Sequence, residues 1–336
     1  MKKILITGAA GFIGFHLSKR LLNLGYEVIG LDNLNDYYDI QLKLDRLKQL
    51  GINAEYLRPS ESIKATSNKF EFFKVAIEDT VNVKKIFEDN NVEYVINLAA
   101  QAGVRYSIKN PEVYAKSNLM GFFNLLENCR SYSVKHLIYA SSSSVYGNST
   151  DVPFDESNSD VNKPVSFYAA TKRCNEILAE SYNNLYNIKM TALRFFTVYG
   201  PWGRPDMAMF LFTDAIIKNK PLKVFNNGNL SRDFTYIDDV IDGIVKVIID
   251  SDEQSEHEIF NIGNNAPIKL LDFILEIEKK LERVGKKQFM PMQEGDVEKT
   301  WANTNKLNNK FYFSPKTPIS DGVSKFIDWY KLYYKI

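Results

Sequence analysis

Tyr168 and Lys172 stand four residues apart in a run, 166–187, that follows the breaker Pro164 and whose pattern predicts a helix. On a helix that spacing puts both side chains on one face, one turn apart. A phenol with a pKa near ~10 is a poor base at neutral pH. A neighbouring ammonium favours the phenolate, and a tyrosine so placed can move a proton as a general acid or base. The same spacing also occurs on many solvated helices, so the pair takes its meaning from the elements that position it.

The first of those elements lies at the start of the chain. Residues 3–7 are a short apolar run, followed by Gly8-Ala-Ala-Gly11-Phe12-Ile13-Gly14 and an amphipathic helix to about Leu24 that Gly25 closes. A second apolar strand over 27–31 ends at Asp32. Strand, glycine turn, helix, strand and acid in this order predict a dinucleotide-binding unit. Gly8 allows the tight turn, Gly11 lets backbone approach a pyrophosphate, and Gly14 lets the helix pack on the strand. The helix start offers amide donors and a positive dipole end to phosphate. A carboxylate at Asp32 suits the adenosine ribose diol and repels a 2′-phosphate, and no Arg follows directly. The expected cofactor is therefore NAD rather than NADP.

Downstream the alternation continues. An insertion over 33–69 carries a helix near 40–49 and a polar loop. Strands are expected over 70–75, 93–97 and 136–140, and helices over 79–90 and, opened by Pro111, from 111 to about 130. Such alternation predicts an α/β fold with a doubly wound parallel sheet and ligands at the carboxyl ends of its strands. A strand over 189–196 then leads into a Gly/Pro-dense stretch, 197–206, which marks the crossing into a second, smaller α/β region. Helices are expected there over 207–218, 270–283 and 320–334, with a helix and strand over 236–249 and 259–263 returning to the first domain. The first domain is thus expected over 1–196 with a return segment near 232–263, and the second over 197–231 and 264–336.

Composition excludes several classes. With 42 basic and 41 acidic residues the net charge is +1, which gives no electrostatic footprint for nucleic acid or an anionic membrane. Two cysteines, Cys129 and Cys174, and three histidines supply neither a metal-ligand spacing nor a disulfide framework. Both cysteines fall in helical patterns and are expected to be reduced packing residues. Lys2-Lys3 before an apolar run looks like a secretory leader, but glycines interrupt the run and no small-residue cleavage site ends it. No segment reaches the apolar length of a membrane span. The expectation is a cytoplasmic protein.

Between the strand over 136–140 and the Tyr168 helix stand Ser141-Ser142-Ser143-Ser144-Val145-Tyr146-Gly147. Four hydroxyls at a strand end can be no more than a polar loop. Beside a dinucleotide unit and the Tyr168/Lys172 pair, they are candidate donors to a substrate oxygen.

With these motifs the sequence resembles the extended short-chain dehydrogenase/reductases with a Rossmann-type sheet, and within them the NAD-dependent nucleotide-sugar 4-epimerases. The matching motifs are Gly8-x-x-Gly11-x-x-Gly14, Asp32-Asn33, Leu98-Ala99-Ala100, the Ser142 loop, Tyr168/Lys172, Arg194-Phe195-Phe196, Arg232-Asp233 and Gly295-Asp296. The likeness is greatest to UDP-glucuronate 4-epimerases, through 32–38 (DNLNDYY), 101–107 (QAGVRYS) and 197–207 (TVYGPWGRPDM). The resemblance implies that Tyr168 takes the proton of the sugar 4-hydroxyl while C4 gives hydride to tightly held NAD. Lys172 would lower the Tyr168 pKa and hold the nicotinamide ribose, and Ser142 would orient the 4-oxygen. The 4-keto sugar would then turn over and take the hydride back on its other face.

It further implies cofactor contacts at Phe12, Ile13, Asn33, Ile77, Leu98, Ala99, Ala100, Asn118, Phe195 and Val198. Val224, Phe225, Arg232 and Asp296 would grip uridine and diphosphate, and Arg105 would reach diphosphate or uronate. Thr197 stands where UDP-galactose 4-epimerases usually carry Asn. With Ser143, Ser144 and Arg204 it could supply donors to a C6 carboxylate, which must not be buried unpaired. Two departures stand out: Ala76 replaces an Asp that often binds the adenine amino group, shifting that contact to backbone near Ile77, and Gln293 stands near an Arg of some epimerases. The alternatives are a UDP-glucose 4-epimerase, a 4,6-dehydratase (which usually has Asp-Glu at 143–144), a uronate decarboxylase (which carries Glu in the serine loop) and a non-catalytic NAD-binding scaffold. A homodimer through the helices at 111–130 and 166–187 is implied by the resemblance alone, as is a destination in capsule or lipopolysaccharide precursors.

Overall fold

Strand β1 (Lys3–Thr7) is buried from its second residue onward, as a strand covered on both faces must be. The glycine turn leads into α1 (Phe12–Asn23), and β2 (Glu27–Asp32) follows. Next come α2 (Ile40–Gln49), β3 (Ser62–Lys64), β4 (Phe70–Lys74), α3 (Thr80–Asn90) and β5 (Tyr94–Asn97). The chain continues through α4 (Val104–Lys109), α5 (Pro111–Tyr114), α6 (Gly121–Ser131), β6 (His136–Ser142), α7 (Phe167–Tyr186), β7 (Met190–Phe195) and β8 (Thr197–Tyr199). Beyond these lie α8 (Ala208–Ile217), β9 (Leu222–Val224), β10 (Ser231–Tyr236), α9 (Ile237–Ile249) and β11 (His257–Ile262). The chain closes with β12 (Pro267–Lys269), α10 (Leu270–Leu281), β13 (Lys287–Phe289), α11 (Asn305–Phe311) and α12 (Ile319–Tyr334). The computed structural model describes residues 2–157, 163–249, 256–293 and 295–336.

By internal contacts the chain forms two units. The first comprises Met1–Gly147, Ser159–Arg194 and Ile244–Phe260; the second comprises Asn148–Asn158, Phe195–Gly243 and Asn261–Ile336.

The first unit is organised by a sheet in the order β11-β7-β6-β5-β1-β2-β4-β3. β1 pairs in parallel with both β2 and β5, and β2–β4 and β5–β6 are parallel too. Strand order reverses at β1, so the carboxyl ends of β1 and β5 flank a crevice of the kind that receives a dinucleotide. Leu5, Leu31, Val95, Leu137 and Met190 of the sheet pack with Phe87, Phe122 and Leu125 of α3 and α6, all at most 1% exposed. Each such side chain contributes roughly 1.5–3 kcal/mol by leaving water. This apolar layer fixes where the strand ends, and hence the site, can be.

The second unit contains a three-stranded sheet, β12-β10-β8, and a two-stranded one, β13-β9. Phe234 of β10 stacks on Phe273 of α10 with ring centroids 4.0 Å apart. Phe210 of α8 packs edge-on against Phe326 and Tyr330 of α12.

Several elements differ from the sequence expectation. The helix expected from 111 to about 130 is divided by a π-helical stretch, Ala115–Met120. A widened turn of this kind is a recurrent mark of functional sites, and here it holds Asn118, whose side chain bonds outside the helix. The polar loop after α2 contains the antiparallel edge strand β3, and the 101–107 stretch contains α4. Of the two cysteines only Cys129 is a packing residue; Cys174 is exposed on α7. Among the described residues no helix is long and apolar enough to cross a membrane, and no group of three His, Cys, Asp or Glu residues could hold a metal.

Candidate active site

Helix α7 begins where it does because Ser166, in extended conformation after Pro164, caps it. Its hydroxyl accepts from the Ala169 N–H at 3.1 Å. Tyr168 is half-buried in the first turn, and Lys172 lies one turn on with 2% exposure. The Lys172 ammonium sits 6.0 Å from the Tyr168 ring centroid and donates to the Ala140 carbonyl at 2.8 Å. That bond ties α7 to β6 two residues before Ser142. Burial pulls the Lys172 pKa down to about 8, against the opposing field of Glu176.

Glu176 is the next residue on the same face, and it is 1% exposed. Arg194 of β7 meets it as a two-pronged ion pair, Nε to Oε1 at 2.8 Å and Nη2 to Oε2 at 2.9 Å. Ser141 of β6 donates to Oε1 at 2.6 Å, and Arg173 donates to Oε2 at 2.9 Å. Arg194 also donates to the Tyr146 hydroxyl at 2.9 Å. Burial pushes the Glu176 carboxyl up, but Arg194, with Ser141 and Arg173, more than offsets it and holds the group below the ordinary carboxylate range. One carboxylate therefore joins the serine strand, the Tyr168 helix and β7.

Ser142 caps the short 3₁₀ turn Ser143–Tyr146 and accepts from both the Ser144 N–H at 3.2 Å and the Ser144 hydroxyl at 2.9 Å. A hydroxyl has two lone pairs and one hydrogen. With both lone pairs engaged, Ser142 is set to act as a donor. The Ser142 and Ser144 hydroxyls thus form one hydrogen-bonded pair at the end of β6.

The glycine turn fits a dinucleotide. A Cβ on Gly14 would lie 2.1 Å from the Gly8 carbonyl oxygen and one on Gly11 2.9 Å from it, so helix and turn touch as only glycine permits. Gly8, at φ +71°, backs onto Leu98 and Ala99 at the end of β5. Phe12 is buried and Ile13 half-buried in the first turn of α1, which has neither a capping side chain nor an acidic residue, as an anion site requires. Asp32 is 7% exposed, and its Oδ1 accepts from the Leu34 N–H at 2.8 Å. Asn33 beside it is exposed. Ala99 donates to the Thr7 hydroxyl at 3.1 Å, which in turn donates to Asn97 at 2.6 Å, and Ala100 is half-buried. The Ile77 carbonyl accepts from Asn124 at 2.8 Å.

Asn118 lies in the π-helical stretch. It is 1% exposed, and its amide bridges Gln101 N–H (2.8 Å), Gln101 carbonyl (3.0 Å) and the Thr171 hydroxyl (3.1 Å). Its side chain joins the loop after β5 to α7. Arg105 is exposed on α4.

In the second unit, Thr197 and Arg204 line one pocket with Met207, Phe210, Phe234 and Phe326. Arg204 is paired with Asp206, Nε to Oδ1 at 3.0 Å. Phe195 and Val198 are 8% and 7% exposed. Arg232 bonds Asp296 at 3.1 Å and the carbonyls of Ser231 and Glu298. Val224 is wholly buried with its carbonyl bound to Met290 N–H, which leaves Phe225, half-buried, as the accessible side chain of that pair. The Gln293 Oε1 is buried with no hydrogen-bond partner.

The sequence did not flag Glu176, Lys43 or Arg46 as site residues. Their signal was charge on the core face of a helix: Glu176 continues the Tyr168–Lys172 row, and Lys43 and Arg46 share the buried face of α2 with Leu42 and Leu47.

The chain is similar to known proteins along nearly its whole length. A sequence profile described as the NAD dependent epimerase/dehydratase family matches residues 4–263. Protein CapI of Staphylococcus aureus is 48% identical, over 99% of this chain and 99% of that one. A probable UDP-glucuronate 4-epimerase of Rhizobium meliloti is 40% identical, over 99% of this chain and 98% of that one. The crystal structure of UDP-glucuronic acid 4-epimerase from Bacillus cereus, in complex with UDP-glucuronic acid and NAD, superimposes with a TM-score of 0.88. It is 34% identical, over 99% of this chain and 100% of that one.

The Glu176–Arg194 pair yields a test. Glu176→Gln leaves Arg194 buried beside a neutral partner and is expected to lower stability by about 3–5 kcal/mol in chemical denaturation. The folded-state pKa of Glu176 is depressed, so its stabilisation is present above the ordinary carboxylate pKa and lost as pH falls through the folded value. Wild type should therefore lose more stability on acidification than the variant. Equal stability at neutral pH, or parallel pH curves, would contradict the role given to this pair.

Proposed function

This chain belongs to the NAD-dependent epimerase/dehydratase family, and from that premise we propose that it is an isomerase interconverting UDP-glucuronate and UDP-galacturonate at C4. What NAD supplies when bound is a nicotinamide that takes the C4 hydride and gives it back, so that net redox is zero. The chain itself moves the proton and holds the sugar. Tyr168 takes the proton of the 4-hydroxyl and returns it to the 4-oxygen when the transient 4-keto sugar is reduced on its other face. Lys172, charged beside the phenol ring, favours the phenolate, and Ser142 donates to the 4-oxygen. Gly8, Gly11, Gly14 and Asp32 hold the dinucleotide, and Arg232, Asp296 and Phe225 belong with the uridine diphosphate.

One observation favours a uronate over a neutral sugar: Thr197 and Arg204 line the same largely apolar pocket of the second unit. Arg204 holds the Asp206 carboxylate there, and the proposal is that a substrate C6 carboxylate beside Thr197 takes over that guanidinium, so that it leaves water paired. The named substrates of the Rhizobium and Bacillus proteins support the same choice. A cytoplasmic location, where NAD and UDP-sugars are found, fits this activity. A homodimer is also proposed, on the exposed apolar side chains of α6 and α7, among them Phe123, Ile177 and Leu185. Sedimentation equilibrium should return twice the chain mass, and a monomer at micromolar concentration would refute it.

Arg204→Met is expected to raise KM for UDP-glucuronate about tenfold or more, because it removes a charge-assisted contact. Equal KM in both proteins would remove the uronate argument, as would wild type that turns over UDP-glucose and not UDP-glucuronate. The Lys172 ammonium is charged below about 8 and neutral above it. Turnover should accordingly fall as pH rises through that value, and a profile flat to pH ~10, the ordinary range of a phenol or ammonium, would contradict the role of Lys172.

A further inference from the structure

The insertion that carries α2 brings two buried cations to the dinucleotide unit. Lys43 is 5% exposed and Arg46 is fully buried; they are three apart and so share a face of α2. Burying a cation is unfavourable unless hydrogen bonds and opposite charge compensate, so their partners are informative. The Lys43 ammonium donates to both the carbonyl and the side-chain oxygen of Asn35 at 2.9 Å, and stands 3.9 Å from the Asp32 carboxylate. Arg46 donates to the Ala10 carbonyl at 2.9 Å and to the Tyr38 hydroxyl at 2.7 Å. The Tyr38 ring lies against both cations, 5.1 Å from the ammonium and 5.5 Å from the guanidinium carbon.

Ala10 lies inside the turn between Gly8 and Gly11, and Asp32 is the acid at the end of β2. α2 thus reaches both parts of the unit at once, the turn whose amides suit a pyrophosphate and the carboxylate that suits a ribose diol. We propose that Lys43 and Arg46 are positioning residues for the adenosine diphosphate half of NAD, Arg46 bracing the phosphate turn from behind and Lys43 fixing Asp32 and the 33–38 loop beside the ribose. The clamp explains how a cofactor regenerated in every cycle stays on the protein between cycles. It rests on the reading of NAD as the cofactor.

Lys43→Met and Arg46→Met keep most of the side-chain volume and remove the charge and the donors. NAD released by denaturing the purified proteins would be quantified by chromatography, and NAD affinity of the stripped proteins measured by titration. Each variant is expected to bind NAD about tenfold or more weakly than wild type. With NAD saturating, KM for UDP-glucuronate should stay within about twofold, since only cofactor binding is touched. Folded variants with wild-type NAD affinity would overturn the proposal, even if their melting temperatures fall, because that is the signature of a purely structural role. Should Arg46→Met fail to fold, Lys43→Met and the conservative Arg46→Lys, which keeps the charge but not the two-partner geometry, decide the matter by the same affinities. Wild type that takes up no NAD at all would overturn the cofactor reading and this proposal with it.

Discussion

The catalytic end of the first unit depends on one buried ion pair. Glu176 on α7 and Arg194 on β7 meet through two parallel hydrogen bonds, and Ser141 on β6 completes the carboxylate. A buried pair of this kind adds little net stability compared with an apolar replacement. It does add direction, because the fork of Arg194 and the hydroxyl of Ser141 accept Glu176 in a single orientation. Helix α7 is thereby locked in rotation against β6, with Tyr168 and Lys172 on the same row as Glu176. Three elements whose apolar contacts would tolerate small slips are held in one register.

The same carboxylate governs charge. Lys172 is buried, and burial works against its ammonium. Its direct partner is a carbonyl, and the full negative charge that opposes its deprotonation is Glu176, itself kept ionised by Arg194. From there the proposed polarity runs outward in order. On that proposal a charged Lys172 favours a phenolate at Tyr168, and Ser142, which accepts two hydrogen bonds from Ser144, donates to the sugar 4-oxygen. If those roles are as proposed, acceptor and donor are set by their neighbours before any substrate arrives, which is what a preorganised site requires.

Much of this was legible in the sequence, for physical reasons that differ by residue. The dinucleotide unit could be read because Gly8, Gly11 and Gly14 are required by backbone contacts as short as 2.1 Å, which no other residue survives. Tyr168 and Lys172 could be read because helical spacing alone puts them on one row. Glu176 sits in that row too, but a Glu on a helix is ordinarily solvated, and only β7 and β6, folded against it, show otherwise. Lys43 and Arg46 were hidden for the same reason, in an insertion whose polar composition reads as surface. The π-helical stretch at Ala115–Met120 escaped because a 3.6-residue pattern runs on through a single widened turn. The second unit was least legible: β8, β9, β12 and β13 have three residues each, too few for an alternation to declare itself.

The central claim is that hydrogen at C4 leaves the sugar as hydride, stays within the protein and returns to the same carbon, while Tyr168 handles the hydroxyl proton alone. UDP-glucuronate deuterated at C4, incubated in ordinary water with the purified protein, tests this directly by NMR. The account predicts UDP-galacturonate that retains its deuterium at C4. Galacturonate carrying hydrogen at C4, or full return of unchanged substrate, would contradict it.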